Sequence, residues 1–195
     1  AGFTEIICNS ITTTAYYEDE NSLVKIMNPL NADLHAMRSS LLYGGLETVL
    51  RNQNHKQPDL KLFEFGYTYQ AGSKPNDKDP GYKEIPGLAI FITGRKDPEG
   101  WMSYGSQTDY YLLKGVVNKL IEKLGIGKPG IEVESLALPE LVGQTWKILN
   151  KEVALVGEVE KSVLKKMGIK NPVYYALFNW AEVTSLLGTN TVRYQ

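Results

Sequence analysis

The chain has 195 residues, 43% of them hydrophobic and 22% charged, with a formal net charge of −1. This composition excludes a disordered chain and fits one domain with a full core. The near-zero charge excludes a broad nucleic-acid face, which would need clustered Lys and Arg, and only four arginines occur: Arg38, Arg51, Arg95 and Arg193.

Cys8 is the sole cysteine, so an internal disulfide and a cysteine-based zinc site are excluded. No apolar run reaches the ~18 residues of a membrane span, and nothing resembles a signal peptide, so a cytoplasmic location is expected. The first and last residues read as strands met part-way. The sequence is therefore expected to be a piece of a longer protein, with 1–195 forming one domain.

Glu5 to Thr12, rich in Ile, Thr and small polar residues, predicts a strand. Thr13 to Asp19 predicts a short helical turn. Leu23 to Met27 predicts a second strand, stopped by Pro29, which has no N–H for a ladder. Ser39 to Asn54 predicts a helix, with Leu42, Leu46, Val49 and Leu50 on one face and Ser39 or Ser40 as N-cap. Gly44 and Gly45 inside it each cost about 1 kcal/mol relative to Ala, so the pair predicts close approach by a neighbouring helix or subunit.

Leu60 to Gln70 and Pro86 to Thr93 predict strands around a Gly-, Pro- and Asp-rich loop, Ala71 to Lys83. Asp109 to Leu124 predicts the clearest helix. Its apolar positions are Leu113, Val116, Val117, Leu120, Ile121 and Leu124, with Asp109 as cap and Gly125 as terminator. Further strands are predicted at Ile131–Ser135, Thr145–Leu149, Val153–Glu158 and Val173–Asn179, and helices at Lys161–Met167 and Ala181–Leu187. Many strands with few helices between them predict an α+β fold, a mostly antiparallel (mixed) sheet flanked by helices.

Several patterns read blandly. Gly125-Ile126-Gly127-Lys128-Pro129-Gly130 matches a dinucleotide fingerprint but follows a helix, so it reads as a helix end plus turn. His35 and His55 have no ligand-type residue at metal spacing. Glu18-Asp19-Glu20 reads as a solvated turn. Lys161, Lys165, Lys166 and Lys170 read as a surface face that could touch RNA backbone. Glu152, Glu158 and Glu160 share one strand face by period two, as a solvent-facing edge or the lining of a cleft above the sheet.

Three segments carry a resemblance: Met27-Asn28-Pro29-Leu30, then Met37-Arg38-Ser39-Ser40-Leu41-Leu42-Tyr43-Gly44-Gly45-Leu46, then Leu62-Phe63-Glu64-Phe65-Gly66. In that order they resemble the catalytic-like core of the bacterial phenylalanyl-tRNA synthetase beta-subunit family. Gly2-Phe3-Thr4-Glu5-Ile6-Ile7, Gly87 to Gly94, Trp101, Asp109 to Gly115, Val156 to Val159 and Pro172 to Ala176 extend the likeness over nearly the whole chain. Two histidine-bearing elements of the family are absent, near Gly157 to Lys161 and near Pro139 to Gln144.

The resemblance implies a class II aminoacyl-tRNA synthetase-like antiparallel sheet with flanking helices. It implies a ligase that joins phenylalanine to tRNA(Phe) with ATP and Mg2+, working as an alpha2-beta2 heterotetramer whose alpha subunit holds the active site. It implies no catalytic, cofactor or metal residue in this piece. Adenylation on this fold uses arginines to neutralise phosphate charge. Tyr67, Thr68, Tyr69 and Gln70 supply none, and none follows Arg95 until Arg193.

The expected role is therefore structural. Asn28, Pro29, Arg38, Leu42, Gly45, Leu46, Phe63, Glu64 and Gly66 are the structural or subunit-interface candidates. The interface is expected on the Ser39–Asn54 helix and the strands beside Pro29, so that Leu42→Asp or Gly45→Arg weakens alpha association and leaves the domain folded. The alternatives are an autonomous ligase-like domain binding ATP and an amino acid, and an RNA-binding module on the lysine face.

Overall fold

The computed structural model describes residues 2–29, 34–72, 81–96, 105–127 and 130–189. Leu30, Trp101, Arg193 and most of the predicted Ala71–Lys83 loop lie outside them. Nine strands and four α-helices follow one another as β1 (Thr4–Glu5), β2 (Ile11–Thr12), β3 (Ala36–Met37), α1 (Leu42–Asn54), β4 (Leu60–Ala71), β5 (Tyr82–Thr93), α2 (Tyr110–Leu124), β6 (Glu132–Ala137), β7 (Leu141–Ile148), β8 (Lys151–Val159), α3 (Lys161–Met167), β9 (Val173–Asn179) and α4 (Trp180–Thr189). Seven strands form one sheet in the order β1-β4-β5-β9-β8-β7-β6, while β2 and β3 pair separately. Only the β1–β4 pair is parallel, so the sheet is mixed and mostly antiparallel as expected.

Period two along the strands splits the core into two layers. Leu88, Ile90, Ile92, Tyr174, Ala176 and Phe178 face α2 and α4. Leu62, Ala89, Phe91, Val173 and Tyr175 face α1 and α3. Burial of both faces accounts for the apolar run along β5, which does not alternate.

The caps explain the helix limits. Asp109 Oδ1 accepts from Leu112 N at 2.7 Å, and Gly125 closes α2 in the left-handed region at φ 69°. Helix α1 starts at Leu42, later than the predicted Ser39. Ser40 Oγ accepts from Leu42 N at 3.1 Å and so holds the chain outside the first turn. At its far end Gln53 clamps the loop after α3, donating to Gly168 O and accepting from Lys170 N.

Three expectations are corrected. Glu5 to Thr12 is not one strand; Thr4–Glu5 pairs with β4, and Ile11–Thr12 leaves that sheet to pair with β3. Leu23 to Met27 is not a strand; a single bridge joins Lys25 to Ala36. Strands β4 and β5 run further than predicted, to Ala71 and from Tyr82.

A fourth correction concerns Glu152, Glu158 and Glu160. Lys147 opposes Glu152, but Trp146 opposes Ala154, so β8 carries one extra residue at Val153. A bulge of this kind reverses side-chain parity along the strand. Ala154, Val156 and Glu158 face the α2 layer, and Glu152 faces the α1 layer. Glu160 has left the strand and is the N-cap residue of α3.

Candidate functional site

On the α1 face, a cleft of about 210 Å³ lies where β4, β5, β8 and β9 meet. Ser39 and Ser40 enter it from the segment before α1, Thr68 and Gln70 from β4, Glu152 from β8 and Asn179 from β9. Its floor is Gly87 and Leu177. Of the three glutamates above, Glu152 alone lines this cleft. Glu158 and Glu160 border a separate depression with Tyr110, Gln144 and Lys161.

Beside the cleft lies a buried ion pair. Arg38 Nη1 donates to Glu64 Oε1 at 2.8 Å, with the side chains 6% and 1% exposed. Arg38 Nε donates to Tyr67 O at 3.0 Å, and Cys8 N donates to the same Glu64 oxygen at 3.1 Å. The Arg38 backbone bridges two elements, its N–H to Ser10 O and its C=O to Tyr69 N, both at 2.9 Å. A Cβ on Gly66 would collide with the Arg38 guanidinium, so glycine makes the room that the cation occupies. Here Glu64 balances the arginine charge, as a buried cation requires.

Burial dominates the titration of groups around the pair. It pushes the Cys8 thiol up to about 11, with the Glu64 charge adding to the shift. It also raises the phenols of Tyr17 and Tyr175.

Among the described residues the other arginines, Arg51 and Arg95, do not join this site. Arg51 is exposed in the last turn of α1. Arg95 Nε donates to Asp59 Oδ2 at 2.9 Å, where Asp59 precedes β4. Glu64 lies about 17 Å further along, judged from strand rise. Among the described residues no group of three His, Cys, Asp or Glu could hold a metal ion, and no helix is long and apolar enough to cross a membrane. Lys161, Lys165, Lys166 and Lys170 are all exposed; Lys166 Nζ donates to Ala15 O at 3.3 Å.

The remaining candidates separate into outer and inner sets. Asn28 and Pro29 are exposed in a loop. Leu42 and Leu46 are 4% and 0% exposed, turned toward the sheet. A Cβ on Gly45 would overlap the Phe91 ring, so the close neighbour of the glycine pair is a strand of the same sheet for Gly45 and Cys8 for Gly44. The apolar stripe of α1 is thus spent on this domain's own core. Leu42→Asp and Gly45→Arg are corrected accordingly, since both changes strike the core and would not leave the domain folded.

Sequence reasoning did not connect Arg38 to Glu64, nor place Gln70 and Asn179 at the cleft. Glu64 had a signal: it stands alone as a charge at an alternating position between Leu62 and Gly66 on a strand with apolar neighbours.

Residues 1–180 match the family model described as the phenylalanyl tRNA synthetase beta chain CLM domain. The chain belongs to this family. A phenylalanine–tRNA ligase beta subunit from Bacteroides thetaiotaomicron is 36% identical over 205 residues, which takes in 100% of this chain and 25% of that protein. One from Porphyromonas gingivalis is 34% identical over 196 residues, 95% of this chain and 24% of that protein. The chain therefore spans about a quarter of the length of these relatives. Among solved structures, pyrrolysyl-tRNA synthetase from Desulfitobacterium hafniense superposes with a TM-score of 0.69 over 97% of this chain and 64% of that one, at 14% identity. That likeness shows the class II aminoacyl-tRNA synthetase fold expected from the sequence.

Proposed function

We propose that this beta-subunit domain is a non-catalytic scaffold of phenylalanine–tRNA ligase, and that the alpha subunit carries out ATP- and Mg2+-dependent charging of tRNA(Phe). In this reading the domain shapes and steadies the alpha active site within a cytoplasmic alpha2-beta2 assembly. Residues 1–195 act as one unit with no catalytic, cofactor or metal residue of their own.

The observation that carries it is that no cation lines the cleft among the described residues. Adenylate formation needs fixed positive charge where phosphate charge develops. The cleft offers Ser39, Ser40, Thr68, Gln70, Asn179 and one carboxylate, Glu152. The neighbouring cation, Arg38, is already neutralised by Glu64. A lone carboxylate repels triphosphate, which disfavours the autonomous-ligase alternative. Asn28, Pro29, Arg38, Leu42, Gly45, Leu46, Phe63, Glu64 and Gly66 then serve the fold or the outer loop, and none touches substrate.

Calorimetric titration of ATP with Mg2+ tests this, run on the complete beta subunit alone and on its complex with alpha. Heat is expected from the complex only. Saturable ATP binding by beta alone, abolished by a bulky residue at Gly87, would overturn the scaffold reading.

A further inference from the structure

With the α1 stripe buried, an open apolar surface among the described residues lies on the opposite face of the sheet. A groove of about 550 Å³ runs between β4 and α2. One wall is aromatic: Phe63 and Phe65 on β4 and Trp180 at the start of α4. Their rings meet edge-on, Phe63 to Phe65 at 6.3 Å and Phe65 to Trp180 at 4.9 Å. The other wall is aliphatic, formed by Leu112, Val116 and Leu120 of α2. Phe65 is 50% exposed although flanked by two aromatic neighbours. Past Phe65 the same strand face continues to Tyr67, also 50% exposed.

The rim has one sign. Lys61, Lys119 and Lys123 are the only charged residues lining the groove among the described residues, and no carboxylate lines it. Lys119 and Lys123 stand one helical turn apart on the same side of α2. Lys61 is held on the facing bank by Lys96 O at 3.0 Å. An aromatic and aliphatic trough between lysines is complementary to an amphipathic segment whose apolar side chains enter the trough and whose carboxylates flank them. Three lysines give an RNA strand little phosphate neutralisation, and the aromatic rings meet one another edge-on, so they do not form a row of parallel faces for successive bases.

We propose that this β4–α2 groove, and not the α1 helix, is where the domain receives an acidic amphipathic segment of the alpha subunit. The inference rests on the scaffold reading above and assigns its contact surface. Phe65 and Trp180 act as apolar anchors, and the lysines fix orientation and speed encounter.

The test uses the complete beta subunit with its alpha subunit, comparing wild type, Lys119→Glu/Lys123→Glu and Phe65→Ala by sedimentation. The exposed lysine pair keeps the fold, which matched thermal melts would verify. The charge reversal is expected to weaken association by roughly tenfold or more, with the deficit shrinking as salt is raised. Phe65→Ala is expected to weaken it by a similar factor at every salt concentration. Radical footprinting is expected to show Phe65 and Trp180 reactive in beta alone and protected with alpha.

Normal assembly of all variants would overturn the groove assignment and leave the scaffold reading standing. Protection already present in beta alone would also overturn it, since another part of the beta subunit would then fill the trough. Intact assembly with impaired tRNA binding would assign the groove to RNA and overturn it as well. If wild-type alpha and beta fail to associate, it is the scaffold reading that falls.

Discussion

The α1 face and the α2 face cover the same sheet by different chemistry. Under α1 the chain has buried charge: Arg38 and Glu64 meet almost out of water, with Cys8, Tyr17 and Tyr175 around them. Under α2 the interior is apolar, and its polar contacts sit at the margin, such as Tyr110 Oη donating to Gln144 Oε1 at 2.7 Å and Lys114 over the Trp146 ring. Around the ion pair the first face is tightly partnered and specific. The second is greasy and, along β4, open. An inward polar network tolerates one arrangement because a displaced partner leaves a bare charge. An apolar face can accept another surface without that penalty.

The contrast can be broken on the α1 side first. Gly45→Arg should have the largest effect, because a Cβ there already overlaps Phe91 and the charge would have no partner. A loss of about 3 kcal/mol or more is expected in urea unfolding, enough to abolish a cooperative transition in a marginal domain. A folded Gly45→Arg protein would show that α1 can lift from the sheet.

Glu64→Gln comes next, expected to cost about 3–5 kcal/mol by stranding the Arg38 cation. The double change Arg38→Met/Glu64→Leu should restore most of that loss in the same unfolding measurement. If Glu64→Gln were neutral, the two faces would not differ in the way described.

Between equal side chains, Phe91→Leu, at 0% exposure, should cost more than Phe65→Leu, at 50% exposure. About 1–3 kcal/mol is expected for the first and under about 0.5 kcal/mol for the second. Equal costs would mean that the open groove is already part of the domain's core.

The smallest effect sharpens the comparison by pH. Cys8 rises from 9.0 to about 11 and Tyr16 from 10.0 to about 12, both mainly through burial. The folded state thus holds these protons more tightly than the unfolded chain. Stability from both groups is complete below pH 9 and falls as pH rises toward 12. An alkaline unfolding series should lose part of this slope in Cys8→Ser/Tyr16→Phe, and an unchanged slope would move its origin elsewhere.

What could be read from the residues was whatever is local. Helix α2 declared both ends, because Asp109 and Gly125 act within one turn of themselves. Helix α1 declared its stripe, but not what the stripe faces, because Phe91 lies far along the chain. The Arg38–Glu64 pair joins residues from a loop and a strand, and neither predicts the other by spacing. The Val153 bulge was hidden for the same reason: β8 keeps a smooth pattern, and only its pairing with β7 reveals the extra residue. The Leu23–Met27 segment has strand composition but meets its neighbour, His35 to Met37, over a single bridge, too short a pairing for a strand, which is why propensity misled. Fold class followed from element order, whereas the cleft needed Gln70, Glu152 and Asn179 to be carried together by three separate strands.

Strand β5 pairs with β9 only from Gly87 to Thr93, so the only strand that Tyr82 to Pro86 pair with, among the described residues, is β4. Mechanically this is a cantilever, rooted at the Gly66–Gly87 pair and about 17 Å long by strand rise. Its stiffness comes from one ladder, from the tether of Tyr69 N to Arg38 O, and from α4, which packs against β5 and sets Glu182 near Lys83. A few degrees of bend at the root would carry the free end by an ångström or more while the seven-stranded sheet stays still. Since Gln70, Ile85 and Pro86 sit on this arm and Glu152 and Asn179 do not, the width of the cleft is set by how far the arm leans.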